Sequence, residues 1–403
     1  MAQTMDDIQV LVCDDSALMR NLISRIIDSA EGMHTVGTAM NGQYCLEKAE
    51  QLRPDAIVLD IEMPVMTGVE FLKESRKRGM SIPVIILSSV ATKGANVTIQ
   101  CLELGASDFI TKPSGSISSS ISSVAGTLIE KIASYGGAYA RINSKKVYPP
   151  DFFMQQAKLK EVEHLAMQKL TASNTEQPKI ENLQTQPVLW APKTGAKEPA
   201  VITPVRKGGP IEIVAIGIST GGPNALREIF AQIDPKFPRP ILVVQHMPAG
   251  FTKEFANSLD KICPLDVKEA KDGDVIQPGT IFIAPGDFHI YVERKIFGTV
   301  VRLSHDELRN GHRPSADVLF ESVAKIYENR ALGVIMTGMG RDGAAQLAEM
   351  RRQGAWTLGQ DEKSSIVYGM PRVAWELGGV QRQVPLSQMA TAINSIVHEH
   401  LNG

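Results

Sequence analysis

Apolar runs of strand length alternate with amphipathic stretches over the first part of the chain. The runs are rich in Val, Ile and Leu, and the stretches between them have the apolar spacing of helices. The predicted strands are Ile8–Cys13, His34–Ala39, Ala56–Asp60, Pro83–Ser88 and Ser107–Ile110. Such alternation predicts a parallel α/β domain over residues 1–135, with ligands at the carboxyl ends of its strands.

The same alternation returns in the last part of the chain. Here the predicted strands are Ile211–Ile216, Pro240–Gln245, Thr280–Ala284, Leu332–Thr337 and Ala355–Leu358. Two further runs, His289–Val292 and Thr299–Leu303, flank Phe297-Gly298 and predict an inserted hairpin. Residues 210–403 are therefore predicted to form a second, doubly wound and mainly parallel α/β domain.

The stretch between these parts, residues 136–209, is rich in Gly, Pro and polar residues. A structureless loop of this length is uncommon inside one domain, so an interdomain linker is predicted. Within it, apolar residues at helical spacing predict a helix over residues 155–170. Docking of that helix on a neighbouring domain is favoured over a dedicated partner-binding helix.

Composition narrows the class of protein. Of the 403 residues, 43% are hydrophobic and 21% charged, and the formal net charge of −2 gives no broad field for nucleic acid or anionic lipid. The amino terminus lacks a secretory pattern, and the apolar runs are far shorter than the roughly 20 residues needed to span a bilayer. Four scattered cysteines without CxxC spacing indicate reduced core residues. A cytoplasmic protein without membrane insertion is expected.

Acidic residues follow the predicted strands of the first domain. Asp14 and Asp15 come after the first strand, and Asp60 ends the third. These ends lie side by side in a parallel sheet, and three close carboxylates need a cation such as Mg²⁺. Ser88 ends the fourth strand and Lys112 follows the fifth. A hydroxyl and an ammonium at that edge are suited to holding a phosphoryl oxygen.

A glycine-rich turn follows the first strand of the second domain, in the segment Gly217–Pro223. The glycines allow a sharp strand-to-helix turn that exposes Ser219 near a helix N-terminus, as in a serine hydrolase. A phosphate cradle is the rival interpretation. The segment lacks both the P-loop ending and the complete GxGxxG spacing, and a plain tight turn remains a further alternative.

A serine nucleophile needs a base and an orienting carboxylate. His246 directly follows the second strand of this domain, and Asp342 lies in the glycine-rich stretch Thr337–Gly343. Other residues of the same types leave the choice open at this point. The alternatives are His289, His305 and His312 for the base, and Asp287, Asp306 and Asp361 for the carboxylate.

The first domain resembles response-regulator receiver domains. The motifs are Asp14-Asp15, Leu59–Pro64, Ser88 and Thr111-Lys112-Pro113. The resemblance implies a flavodoxin-like, five-stranded (βα)5 fold and a histidine kinase as phosphodonor. It implies that Asp60 accepts the phosphoryl group and binds Mg²⁺ together with Asp14 and Asp15. Ser88 and Lys112 would read the phosphoryl group, and Phe109 would be the switching aromatic residue.

The second domain resembles the chemotaxis protein-glutamate methylesterases. The matching segments are Gly217–Gly222, Gln245–Pro248 with Phe251-Thr252, Ala284–Gly286, His312–Ser315 and Thr337–Gly343. The resemblance implies that Ser219 is the nucleophile, His246 the base and Asp342 its orienting residue. Thr220 and Met339 would line the site. The residues themselves assign no role to His312 and Arg313.

The two resemblances together predict a phosphorylation-regulated hydrolase. It would demethylate glutamate γ-methyl esters, releasing methanol, and deamidate glutamines on chemoreceptors, without a cofactor in the esterase domain. The unphosphorylated receiver is expected to cover the Ser219 site. The alternative is a phosphorylation-gated, non-catalytic module that binds receptors or adaptors; a DNA-binding regulator is disfavoured because no basic recognition helix is present.

Overall fold

The computed structural model describes residues 5–88, 92–112, 122–153, 156 and 198–401. Within them lie two α/β units, each built on its own parallel sheet. None of the described helices is both long enough and apolar enough to cross a bilayer.

The first sheet has five strands in the order β2-β1-β3-β4-β5. Parallel pairing joins β1 to β2 and β3, and β3 to β4. The strands are β1 Ile8–Cys13, β2 Met33–Ala39, β3 Ala56–Asp60, β4 Val84–Ser88 and β5 Asp108–Thr111. This order is flavodoxin-like, so the predicted fold class is confirmed and each predicted strand is present within about one residue.

Polar residues cap the first three helices of this unit. Its helices are α1 Ala17–Asp28, α2 Gly42–Leu52, α3 Gly68–Lys77, α4 Thr92–Glu103, α5 Ser122–Lys131 and α6 Gly137–Ile142, with a π-helical turn at Ile132–Gly136. The side-chain oxygens of Ser16, Asn41 and Thr67 each accept from a backbone N–H of the following first turn. Thr67 and Glu70 complete a capping box.

Chain contacts with this sheet continue past residue 135. Gly136 packs where a Cβ would lie 2.9 Å from Ile8, Lys145 forms a 2.8 Å ion pair with Asp55, and Phe153 is buried. The domain boundaries at residues 135 and 209 stay predictions. The predicted helix over residues 155–170 lies outside the described residues, apart from Gln156.

The second sheet has seven parallel strands in the order β14-β13-β12-β6-β7-β9-β8. They are β6 Ile213–Ile218, β7 Ile241–Gln245, β8 Asp266–Glu269, β9 Thr280–Ile283, β12 Ala331–Ile335, β13 Trp356–Gln360 and β14 Arg382–Val384. The predicted hairpin is present as the antiparallel pair β10 His289–Lys295 and β11 Gly298–Ser304. Sequence reasoning missed β8 and β14, because these two edge strands are short and partly charged and show no apolar run.

Helices connect most of these strands. They are α7 Gly222–Phe230, α8 Thr252–Asp260, α9 Ala316–Tyr327, α10 Ala344–Gln353, α11 Met370–Glu376 and α12 Leu386–Glu399. The strands β6 and β7 are buried throughout, and Phe282 and Phe320 belong to the core around them. A sheet covered in this way fixes the positions of its strand ends, and the candidate site lies at those ends.

Candidate active site

Three neighbouring strands of the second sheet position the polar groups of this site. Ser219 directly follows β6, and His246 directly follows β7. Asp342 lies in the loop between β12 and α10. Because β12, β6 and β7 are adjacent and parallel, their carboxyl ends lie at one edge of the sheet.

Glycines allow the backbone around Ser219 to turn and to pack closely. Gly221 has a φ of +85°, which a glycine adopts at no steric cost, immediately before α7 begins. A Cβ on Gly338 would lie 2.7 Å from Ser219 Cβ, so the loop after β12 approaches the serine only because this residue is glycine. The Ser219 N–H donates to the Thr337 carbonyl at 2.9 Å, which joins the two strand ends.

The imidazole of His246 lies between the other two groups. Its Nδ1 is 3.1 Å from Ser219 Oγ, and its Nε2 is 2.8 Å from Asp342 Oδ2. The His246 side chain is only 7% exposed. The structure thus brings together the serine, histidine and aspartate that were predicted from the sequence.

Asp342 is held by several donors besides His246. Oδ1 accepts from Asn310 Nδ2 at 2.9 Å and from Ser315 Oγ at 2.6 Å, and Oδ2 accepts from the Ala316 N–H at 2.6 Å. Ala316 is the first residue of α9, so the carboxylate lies at a helix N-terminus. Burial alone would raise the pKa of Asp342, but the bonds from His246, Ser315 and Asn310 hold it well below its ordinary value.

The ionisation of Asp342 determines the tautomer of His246. A carboxylate can only accept, so Nε2 of the histidine must carry the proton that it donates to Asp342. Nδ1 is then unprotonated and accepts from the Ser219 hydroxyl. The two ring nitrogens have exchanged the roles that they have in the Ser-His-Asp triad of chymotrypsin, where Nδ1 faces the aspartate.

The acidic residues of the first sheet also converge. The carboxylate groups of Asp14, Asp15 and Asp60 offer oxygens that lie within 4.8 Å of one another. Lys112 Nζ is 3.0 Å from Asp14 Oδ2 and 2.8 Å from Asp60 Oδ2. Oxygen ligands of this kind, with Asp15 exposed, are the donor set that Mg²⁺ prefers.

Burial raises the pKa of Asp60 to about 6, although Lys112 opposes the rise. The other two predicted residues of this region are also buried. Ser88 lies with its Oγ 2.5 Å from Thr98 Oγ1 of α4. Phe109 is in β5 and is 6% exposed.

Comparison with known proteins finds a matching family for each of the two units. A family model described as CheB methylesterase matches residues 214–393, and one described as response regulator receiver domain matches residues 10–118. The protein-glutamate methylesterase/protein-glutamine glutaminase of Treponema denticola is 52% identical over 390 residues, covering 97% of this chain and 98% of that protein. Its counterpart in Treponema pallidum is 49% identical, covering 96% and 97%.

The chain belongs to the protein-glutamate methylesterase/protein-glutamine glutaminase family. The predicted resemblances to receiver domains and to methylesterases are therefore confirmed. Among solved structures, the catalytic domain of the Thermotoga maritima CheB methylesterase is 37% identical, with a TM-score of 0.46, and covers 46% of this chain and 99% of its own.

Four of the six alternative candidates have hydrogen-bond partners outside the series Ser219–His246–Asp342. His289 Nε2 lies 3.0 Å from the Glu307 carbonyl, and His305 Nδ1 lies 2.9 Å from the Asp287 carbonyl. The Asp287 carboxylate accepts from Arg313 at 2.6 Å, and Asp361 accepts from Ser364. Each of these contacts anchors a loop of the second unit.

The two predicted lining residues lie in the loops around Ser219. Thr220 is buried and follows the serine in the chain, and its carbonyl accepts from the Thr337 hydroxyl at 2.9 Å. Met339 is partly buried in the loop after β12. The lining role of both side chains stays a prediction.

Sequence reasoning missed several residues that hold the site. Asn310 and Ser315 donate to Asp342, and Gln245 Nε2 donates to the carbonyls of Ser219 and His246 at 3.1 and 3.0 Å. The available signals were position in the chain and, for Gln245 and Ser315, membership of the segments that resemble the methylesterases. Gln245 precedes His246, and Ser315 is a typical N-cap before an apolar helix.

Proposed function

We propose that this chain hydrolyses glutamate γ-methyl esters on chemoreceptors, releasing methanol, and deamidates receptor glutamines, under control of phosphorylation at Asp60. The observation that carries the proposal is the hydrogen-bonded series Ser219–His246–Asp342 in a member of the methylesterase family. Curated relatives with this two-domain organisation are named for both activities.

The geometry supports acyl transfer through the serine. Ser219 Oγ attacks the ester carbonyl carbon while its proton passes to His246 Nδ1, which is 3.1 Å away. The tetrahedral intermediate collapses as the bond to the methoxy oxygen breaks, and His246 returns the proton to release methanol. Water then attacks the acyl-enzyme with the same base, regenerating Ser219 and a carboxylate. In deamidation, ammonia leaves instead.

Two fixed features favour this reaction. Asp342, which its donors keep ionised at neutral pH, stabilises the imidazolium that forms when His246 accepts the proton. The N-terminus of α7 begins at Gly222, three residues after the serine, so its partial positive charge lies close to the developing oxyanion.

The first unit supplies the regulation in this proposal. Asp60 would accept the phosphoryl group from a histidine kinase or a small phosphodonor. Asp14, Asp15 and Asp60 would hold Mg²⁺, which neutralises charge on the transferring phosphoryl group when it is bound. Lys112, which contacts both Asp14 and Asp60, and Ser88 would bind phosphoryl oxygens.

Substitution of the nucleophile tests the proposal. Ser219→Ala should lower methanol release from methylated receptors by about 10⁴-fold or more, because the residual rate then comes from binding and the oxyanion environment alone. Phosphorylation of Asp60 should continue in this variant. Ser304→Ala, on the hairpin of the same unit, is the matched control and should keep its turnover.

Full turnover by Ser219→Ala would contradict the nucleophile assignment. Labelling of wild-type Ser219 by a fluorophosphonate, measured by mass spectrometry, separates an enzyme from the alternative non-catalytic binding module. An unlabelled serine together with intact receptor binding would favour the binding module.

A further inference from the structure

His312, to which the sequence assigned no role, lies directly against the candidate base. The rings of His312 and His246 have centroids 3.9 Å apart and planes inclined by 15°, so they stack face to face. His246 has hydrogen-bond partners at both nitrogens. Those two bonds fix the nitrogens but leave the ring free to tilt about the line that joins them. A ring stacked on its face restricts that tilt.

The position of His312 is set by a tight turn. Arg309 and His312 exchange backbone hydrogen bonds of 3.1 and 3.0 Å. Between them, Asn310 and Gly311 have φ values of 54° and 81°, as in the Asn-Gly turns that favour two left-handed residues. The chain therefore reverses direction just before His312 and presents its ring toward His246.

The same turn is fastened to the carboxylate of the site. Asn310 Nδ2 donates to Asp342 at 2.9 Å and to Asp317 at 2.6 Å. Arg313, the next residue in the chain after His312, forms a 2.6 Å ion pair with Asp287. Contacts of Asn310 and Arg313 thus fix the chain before and after His312. The Asp342 carboxylate that accepts from Asn310 also accepts from His246.

His312 is suited to this position because it stays uncharged. Burial, with the nearby His246 contributing and Asp342 opposing, lowers the pKa of His312 to about 4. At neutral pH it therefore presents a neutral aromatic face to His246. That face does not repel the imidazolium formed during acyl transfer, and an aromatic face attracts a cation.

We propose that His312 is a positioning residue that clamps the His246 ring in the plane from which it reaches both Ser219 and Asp342. The inference rests on the proposed function, since it assumes that His246 is the base for Ser219. Its contribution is the aromatic face and not a proton from its own nitrogens.

Two substitutions at this position, made in the full-length chain, test the clamp. His312→Ala removes the ring and should lower kcat for methanol release by about 10- to 100-fold, with KM within about twofold, because the base is displaced while the substrate surface is kept. His312→Phe restores a ring of similar shape and should recover kcat to within about threefold of wild type. His305→Ala is the matched control, because the His305 side chain is 55% exposed in the same segment and its hydrogen bond goes to the Asp287 carbonyl, outside the triad.

The rate of Ser219 labelling by a fluorophosphonate gives a second readout that needs no receptor. It should fall in His312→Ala and recover in His312→Phe, and thermal melting of each variant reports whether the fold is kept. Equal losses in His312→Ala and His312→Phe, or no loss in His312→Ala, would overturn the clamp. If wild-type protein labels but releases no methanol, the proposed substrate is wrong while the labelling rates still decide the role of His312.

Discussion

Asp60 and Asp342 are both buried aspartates at the carboxyl edge of a parallel sheet, yet their surroundings shift their pKa values in opposite directions. Asp60 lies beside Asp14 and Asp15, with Lys112 as a neighbouring cation, and burial raises its pKa to about 6. Asp342 accepts from a histidine, an amide, a hydroxyl and a helix N-terminus, and its pKa is held below its ordinary value.

The difference shows how one amino acid serves two kinds of chemistry. A carboxylate among other carboxylates is a site for a cation and, through it, for a phosphoryl group. A carboxylate with all of its lone pairs occupied by donors is not available for reaction. It instead fixes the tautomer of the base beside it.

The largest effect is expected from replacing Asp60, the reactive one of the two aspartates. Asp60→Asn should abolish phosphoryl incorporation from acetyl phosphate or from a histidine kinase, because an amide is not a phosphoryl acceptor. Wild-type protein treated with EDTA should lose incorporation as well, since the carboxylates need Mg²⁺ to receive an anionic donor. Phosphate-affinity gels measure the modified fraction.

Asp7→Asn is the control for that experiment, since Asp7 is an exposed carboxylate of the same unit. Basal methanol release should remain in Asp60→Asn while its stimulation by phosphodonor disappears. Stimulation that persists in this variant would place the phosphorylated residue elsewhere.

The second largest effect is expected from removing the negative charge of Asp342. Asp342→Asn should lower kcat by about 10⁴-fold, because the amide can donate to His246 Nε2 and so favours the wrong tautomer. Methanol release from methylated receptors measures the loss, and phosphorylation at Asp60 should be unchanged. Asp306→Asn is the control, because Asp306 is exposed and is one of the three alternative carboxylates in the sequence. A greater loss in Asp306→Asn would exchange the two assignments.

The acidic cluster was predictable from residue types alone. Three carboxylates and a lysine at the carboxyl ends of β1, β3 and β5 lie at one edge of any parallel sheet of that order. The strands themselves were predictable because buried parallel strands give continuous apolar runs. The edge strands β8 and β14, which are charged and short, gave no such signal.

The triad was only partly predictable. Strand ends brought Ser219 and His246 together, but Asp342 lies seven residues beyond the end of β12. Asp342, and not another aspartate, is the partner of His246 because Asn310 and Ser315 of a separate loop donate to its carboxylate. Neither the exchange of ring nitrogens on His246 nor the stacking of His312 follows from spacing. Both depend on loop conformations, such as the left-handed turn at Asn310-Gly311.

The smallest effect is expected on the free energy of unfolding, which depends on whether Asp342 is ionised or protonated. A carboxyl group whose pKa is lower in the folded protein stabilises the fold above its unfolded pKa, and this stabilisation is lost as the pH falls through the folded pKa. At pH 7, Asp342→Asn should therefore lower the free energy of unfolding by about 2 kcal/mol, the scale of hydrogen bonds to a charged group. The difference from wild type should shrink as the pH falls below about 4.

Urea unfolding followed by tryptophan fluorescence reports on this unit through Trp356 and Trp375, with Asp306→Asn as control. A difference that stays constant from pH 7 to about pH 3 would mean that Asp342 is not preferentially ionised in the folded protein.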